Sequence, residues 1–183
     1  LRIIGNQSPR YRYGVNLSAR WNGIGLSVFL QGVGARDWYP GSDAGMFWGK
    51  YGRPFFALIP SIHNYTDDMY WPRMTTYQSN GTKNWTRLLE IPNTRYIQSA
   101  AYLRVKNIQL DYSFPKHICS AIRLQGLKIY VNAENLFTFT PLHKYAPNFD
   151  PEGLSYDSDF ASAADGYTYP ILKSVTVGVN ITF

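Results

Sequence analysis

Three histidines, one cysteine and two acidic clusters are the residues of this chain that chemistry would recruit first. His63, His117, His143 and Cys119 share none of the short spacings that bring ligands onto one metal ion, so surface or turn positions are expected for the histidines. Asp67-Asp68 and Asp157-Ser158-Asp159 offer carboxylates to a loop-bound calcium ion. Neither continues into an EF-hand pattern, and solvated loop acids are the expectation. No Ser/His/Asp set, paired-carboxylate site or phosphate loop is legible, so neither an enzyme nor a cofactor is expected. Six Asn-X-Ser/Thr triplets, at Asn6, Asn16, Asn64, Asn80, Asn84 and Asn180, are attributed to chance in a chain rich in these residues. What remains is aromatic. Trp38, Tyr39, Trp48, Tyr70 and Trp71 offer flat faces on which sugar rings stack, and packing of the loop on itself is the equal competitor.

The composition narrows the class. The 183 residues are 16% aromatic and only 16% charged, against a usual quarter. A net charge of +6 raises nucleic acid as a partner, but the cations are scattered without a run or motif, so none is expected. A single cysteine excludes an intrachain disulfide framework. No run of about 18 apolar residues is present, so no transmembrane helix is expected. Barrel strands, whose hydropathy signal is far weaker, remain open.

The elements that would position these residues are strands. From Ser174 to Phe183 the chain alternates without error: Val175, Val177, Val179, Ile181 and Phe183 fall on one face and polar residues or glycine on the other. In Arg10 to Trp21, the residues Tyr11, Tyr13, Val15, Leu17, Ala19 and Trp21 share a face. Asn22-Gly23 then predicts a type I′ hairpin, because both turn positions need positive φ. The return strand runs from Ile24 to about Ala35, with Ile24, Leu26, Val28 and Leu30 on its oily side. Further strands are predicted over Tyr102 to Phe114, Gly126 to Phe139 and Tyr167 to Phe183. In the first of these, Leu103 and Val105 sit on the wrong parity relative to Ile108, Leu110 and Tyr112, which predicts a bulge or emergence into water. About 37–99 and about 140–166 read as long loops, whereas Lys116 to Gln125 reads as a short connection.

Short and long connections therefore alternate, as they do in outer-membrane barrels with tight periplasmic turns and long external loops. The oily faces carry no Asp, Glu, Lys or Arg in their central stretch, and Asn135 is their polar exception. The opposite faces keep Arg12, Arg20, Asp111, Lys128 and Glu134, as a wet lumen allows. Five strands cannot close a barrel, so further strands are expected before Leu1.

Several segments resemble the C-terminal end of the SusC/RagA class of TonB-dependent outer-membrane transporters of Bacteroidetes. They are Ile3-Ile4-Gly5-Asn6 with Pro9-Arg10-Tyr11, Val28 to Gly34 with Arg36-Asp37-Trp38-Tyr39-Pro40, and Tyr102 to Leu110. Tyr130 to Thr138, Phe149-Asp150-Pro151-Glu152 and the terminal strand complete the set in the family's order over nearly the whole chain. The resemblance implies an all-β fold, namely the last five or so antiparallel strands of a large transmembrane β-barrel, about 22-stranded. It also implies a plug domain absent from this chain, energisation by TonB through that missing part, and a SusD-like lipoprotein partner. The implied role is nutrient import of oligosaccharides or peptides across the bacterial outer membrane. The last strand would be read by the barrel-assembly machinery, with Phe183, Ile181, Val179 and Tyr167 as the signal. The alternatives are a soluble β-sandwich binding module, disfavoured by the long loop and the terminal strand, and a passive porin lacking plug and lipoprotein.

Overall fold

The computed structural model describes residues 2–39, 66, 68–71, 93–147, 149–154 and 171–183. The predicted strand start at Tyr167 and the loop residue Trp48 lie outside them. Two compact units are present, a sheet unit (Tyr11–Val33, Tyr102–Phe139, Ile171–Phe183) and a loop unit (Leu1–Arg10, Gly34–Ala101, Thr140–Pro170).

Five long strands form one sheet: β1 (Arg10–Trp21), β2 (Ile24–Ala35), β5 (Tyr102–Ser113), β6 (Gly126–Phe139) and β7 (Ser174–Thr182). Their spatial order is β1-β2-β5-β6-β7, each next to its neighbour in sequence. Two-residue strands β3 (Asp37–Trp38) and β4 (Gln98–Ser99) pair separately in the loop unit. The hairpin between β1 and β2 has the expected backbone, with Asn22 at φ 46° and Gly23 at φ 85°. A Cβ on Gly23 would also come within 2.8 Å of the Ser113 carbonyl, so glycine is required twice over.

The phase slip read in β5 is a bulge. Val28 pairs with Ile108 but Leu30 with Val105, so β5 spends one extra residue, Lys106, against β2. On its other side the register shifts between Val105 and Asn107, opposite Glu134 and Phe137 of β6. Asn135 there adopts φ 53°, a left-handed backbone that asparagine tolerates better than most side chains. The bulge rescues the pattern: it returns Leu103 and Val105 to the face shared by Leu30, Phe137 and Phe139. The polar exception, Asn135, is thus a backbone device, and its Nδ2 donates to the Leu172 carbonyl at 3.2 Å.

The connection between β5 and β6 differs from the loop expected. Lys116–Ala121 forms a short helix, α1, too short for its periodicity to be read from sequence. It closes on a Schellman motif: Arg123 N–H donates to the Ser120 carbonyl and Leu124 N–H to the Cys119 carbonyl. The left-handed position of that motif, normally glycine, is Arg123 at φ 59°. Arg123→Gly should therefore raise stability in detergent by about 1 kcal/mol, read as a shift of the unfolding midpoint. An unchanged or lower midpoint would contradict that account. Strand β7 begins at Ser174, so Ile171–Lys173 precede it outside the sheet.

The loop unit has its own core of Trp38, Tyr39, Trp71, Tyr96, Ala100, Leu142, Ala146, Phe149 and Leu154. No described helix is long and apolar enough to cross a membrane.

Candidate functional site

The sheet unit presents two chemically distinct faces. On one, cross-strand rows join Leu26, Leu110, Val131 and Val177, and beside them Val28, Ile108, Ala133 and Val175. None of the residues paired on this face in β2, β5, β6 and β7 is charged, and most of its large side chains stand exposed, Val177 at 73%. Such a surface needs an apolar cover. At about 3.3 Å per residue, Leu127 to Phe139 extends roughly 40 Å, and a tilt of about 40° reduces the height to roughly 30 Å. That matches the hydrocarbon thickness of a bilayer. Aromatic residues stand at its ends, with Trp21, Tyr112, Phe114 and Phe183 at one and Tyr11, Phe137 and Phe139 at the other.

The opposite face is polar and specific. Asp111, only 6% exposed at its side chain, accepts at Oδ2 from Arg20 Nη2 and pairs with Lys128 Nζ, each at 3.3 Å. Gly25 makes room for that carboxylate, since a Cβ there would fall 2.7 Å from Asp111 Oδ1. An open cavity of about 230 Å³ adjoins the pair, lined by Ser18, Arg20, Gly25 and Ser27 among others. Towards the other end of the sheet the buried Arg104 donates from Nε to Thr138 Oγ1 at 2.9 Å, and its guanidinium lies 5.9 Å from the Tyr102 ring centre. Two cations around one carboxylate leave local positive charge on a wettable surface, which suits a solvated lumen. Sequence placed Arg20, Asp111 and Lys128 on this face, but their convergence depends on register and was not legible.

In the loop unit the expected contact residues have other work. Trp38 and Tyr39 are fully interior and Trp71 nearly so. Trp38 packs on Phe149 with ring centres 4.8 Å apart, Trp71 lies nearly parallel to Tyr96 at 5.7 Å, and Trp71 Nε1 donates to the Tyr145 carbonyl. Their rings therefore pack on other residues of the same unit. Tyr70 is the exception: half-buried, it stacks on Tyr145 with ring centres 3.8 Å apart at the margin of the core. Sequence reasoning missed the residue that ties this unit together. Buried Arg36 donates from Nε to the Gln7 carbonyl, from Nη1 to Pro151 and from Nη2 to Leu154, at 2.9–3.2 Å. Its position beside Asp37-Trp38-Tyr39 was the available signal. No group of three or more His, Cys, Asp or Glu that could hold a metal occurs among the described residues.

Burial raises the Tyr39 hydroxyl well above its ordinary value, with Tyr96 adding to the effect and an Asn93 hydrogen bond opposing it. Burial likewise pushes Tyr70 up to about 12, helped by Tyr145 and Tyr96 and opposed by Arg95. The folded unit favours the neutral phenols, so their contribution to stability is complete below the ordinary value of 10. It is lost as the pH rises from there through about 12. Alkaline titration should show late tyrosinate absorbance appearing together with loss of loop-unit protection from proteolysis. Tyr70→Phe should move the loss to higher pH, and a loss already complete near neutrality would contradict the assignment.

The chain matches known proteins along its whole length. It is 26% identical to TonB-dependent receptor P3 of Formosa agariphila over 100% of this chain and 17% of that protein. It is 28% identical to TonB-dependent receptor P39 of the same organism, over 99% of this chain and 17% of the relative. This chain therefore spans about a sixth of the length of these curated relatives. Among solved structures, the RagAB peptide importer in its open-open state superposes with a TM-score of 0.61 at 21% identity, covering 100% of this chain and 18% of that one. The closed-closed state gives 0.62 at 20% identity with the same coverage. These two likenesses are likenesses of fold. No family model matches the chain.

Proposed function

We infer that this chain is part of the transmembrane barrel of a SusC/RagA-type TonB-dependent transporter of the bacterial outer membrane. The observation that carries the reading is the charge-free, membrane-high face of a five-stranded antiparallel sheet, in a chain that matches TonB-dependent receptors from end to end. The sheet unit is a segment of barrel wall, its oily face against lipid and its Asp111 face towards the lumen. The work of the whole protein is import of nutrients such as oligosaccharides or peptides, driven by TonB and assisted by a SusD-like lipoprotein. Support for the peptide arm comes from the RagAB importer, whose fold this chain shares. The long loops are extracellular, and among their described aromatics the half-buried Tyr70 is a candidate contact for a ligand or the lipoprotein. Trp38, Tyr39 and Trp71 support those loops from their core. Val179 and Ile181 on β7, with Phe183 just beyond it and Tyr167 upstream, are the residues offered to the barrel-assembly machinery.

The test uses the intact protein in its native membrane. Uptake of labelled peptides and oligosaccharides should stop when TonB is deleted, and the protein should migrate faster on gels before boiling than after. Uptake indifferent to TonB would make it a passive porin. A protein soluble in buffer, with no heat-dependent mobility shift, would make the sheet half of a sandwich.

A further inference from the structure

One end of the sheet unit is marked by four aromatic residues on three chain segments. Ser113 N–H donates to the Gly23 carbonyl, Phe114 N–H to Leu127 and Gln125 N–H to Thr182, which brings Trp21, Tyr112, Phe114 and Phe183 to that end. Tyr112 and Phe114 touch edge to face, with ring centres 4.9 Å apart. Aromatic rings gather where hydrocarbon meets headgroups. Helix α1 starts two residues beyond Phe114, so it leaves the strand at that level.

Its surface fits the level. Ile118 in α1 and Ile122, its C-cap residue, lie four positions apart and both are exposed, while Cys119 between them is buried. Within 115–125 the charged side chains are Lys116 and Arg123, with His117 beside them and no acid. An exposed branched apolar pair flanked by cations is the pattern of a helix lying in a membrane interface. A second observation points the same way. The left-handed closing position of α1, where glycine is cheapest, holds Arg123 at φ 59°, so a cationic side chain occupies it at a conformational cost.

We propose that α1 is an interfacial anchor: Ile118 and Ile122 enter the leaflet beside the aromatic band, and Lys116 and Arg123 pair with phosphates of phospholipid headgroups. This rests on the barrel reading, in which short connections face the periplasm and meet the inner, phospholipid leaflet. The occupant is therefore phospholipid, rather than the sugar-bearing lipid of the outer leaflet or another protein segment. The anchor fixes the height of the β5–β6 end against the headgroups.

The experiment places the intact protein, with Cys119→Ala and no other reactive thiol, in nanodiscs of phosphatidylethanolamine with or without phosphatidylglycerol. A bimane probe is attached at Ile122→Cys, at Ile118→Cys, or at Val177→Cys as a wall control. Headgroup-proximal doxyl phospholipid should quench both helix probes and aqueous iodide should spare them. Quenching should deepen with phosphatidylglycerol and lose that dependence in the K116Q/R123Q background. Iodide quenching without lipid quenching would overturn the proposal, as would protection from both quenchers, which would mean that protein covers the helix. Lipid quenching unchanged by phosphatidylglycerol would overturn the phosphate pairing. Lipid quenching at Val177 alone would sink the anchor and leave the barrel wall standing, whereas its absence at Val177 would sink both.

Discussion

Val131→Arg should destabilise the intact protein by about 2–4 kcal/mol in a phospholipid bilayer, whereas Thr176→Arg should change stability by no more than about 0.5 kcal/mol. Val131 sits midway along β6, between Leu110 and Val177 on the oily face. A guanidinium there must leave water for hydrocarbon, and no acid on that face of β2, β5, β6 or β7 can meet it. Thr176 belongs to the opposite face, in a row with Asn132 and Gln109, where charge is already carried by Arg20, Asp111 and Lys128. Depth supplies an internal control. Leu127→Arg, four residues nearer the aromatic end, should cost only about 0–1 kcal/mol because the side chain reaches the headgroups. Equilibrium unfolding in bilayers, scored by heat-modifiable migration, reads all three. Equal penalties at Val131 and Thr176 would mean that the faces do not differ in solvent.

Arg36→Ala is the second large effect, and it acts on the loop unit. Two of its hydrogen bonds end on carbonyls of Pro151 and Leu154, both residues being buried. Bonds from a charged donor are worth about 1.5–3 kcal/mol each, and the abandoned acceptors stay desolvated. A loss of roughly 3 kcal/mol or more is expected, localised to the contacts among residues 2–9, 36–39 and 149–154. Arg36→Lys should recover less than half of it, because an ammonium cannot present the planar fork that spans three carbonyls. Hydrogen exchange would show faster amides in 149–154 and unchanged amides in β5 and β6. Unchanged protection of 149–154 would remove Arg36 from its role as a clamp.

Alternation was strong enough to place β1, β2 and β6 at their observed limits, because apolar and polar residues take turns along most of each strand. Even the fault in β5 was readable, since a bulge leaves a parity error in the sequence where Leu103 and Val105 change sides. Other features were illegible for physical reasons. Helix α1 has too few residues to show a period, and its Schellman closure uses an arginine where the eye looks for glycine. The pairing of Trp71 with Tyr96 and of Trp38 with Phe149 joins residues far apart in the chain, and no local rule reports such contacts. Loop aromatics signalled a surface for sugars and a loop core equally, because the same ring serves both. In the structure Trp38, Tyr39 and Trp71 are buried. Arg36 carried no motif of its own beyond its neighbours.

Site-directed spin labelling tests the barrel wall most directly. Nitroxides placed singly from Leu127 to Ala133 and from Val175 to Ile181, in the intact protein in a bilayer, report collisions with oxygen, which concentrates in lipid, and with a water-soluble nickel chelate. The account predicts a period of two in both strands. Oxygen should be high and nickel low at Leu127, Ile129, Val131, Ala133, Val175, Val177, Val179 and Ile181, with the reverse or mutual protection at the residues between. Nickel access on both parities, or a lipid signal on neither, would contradict it.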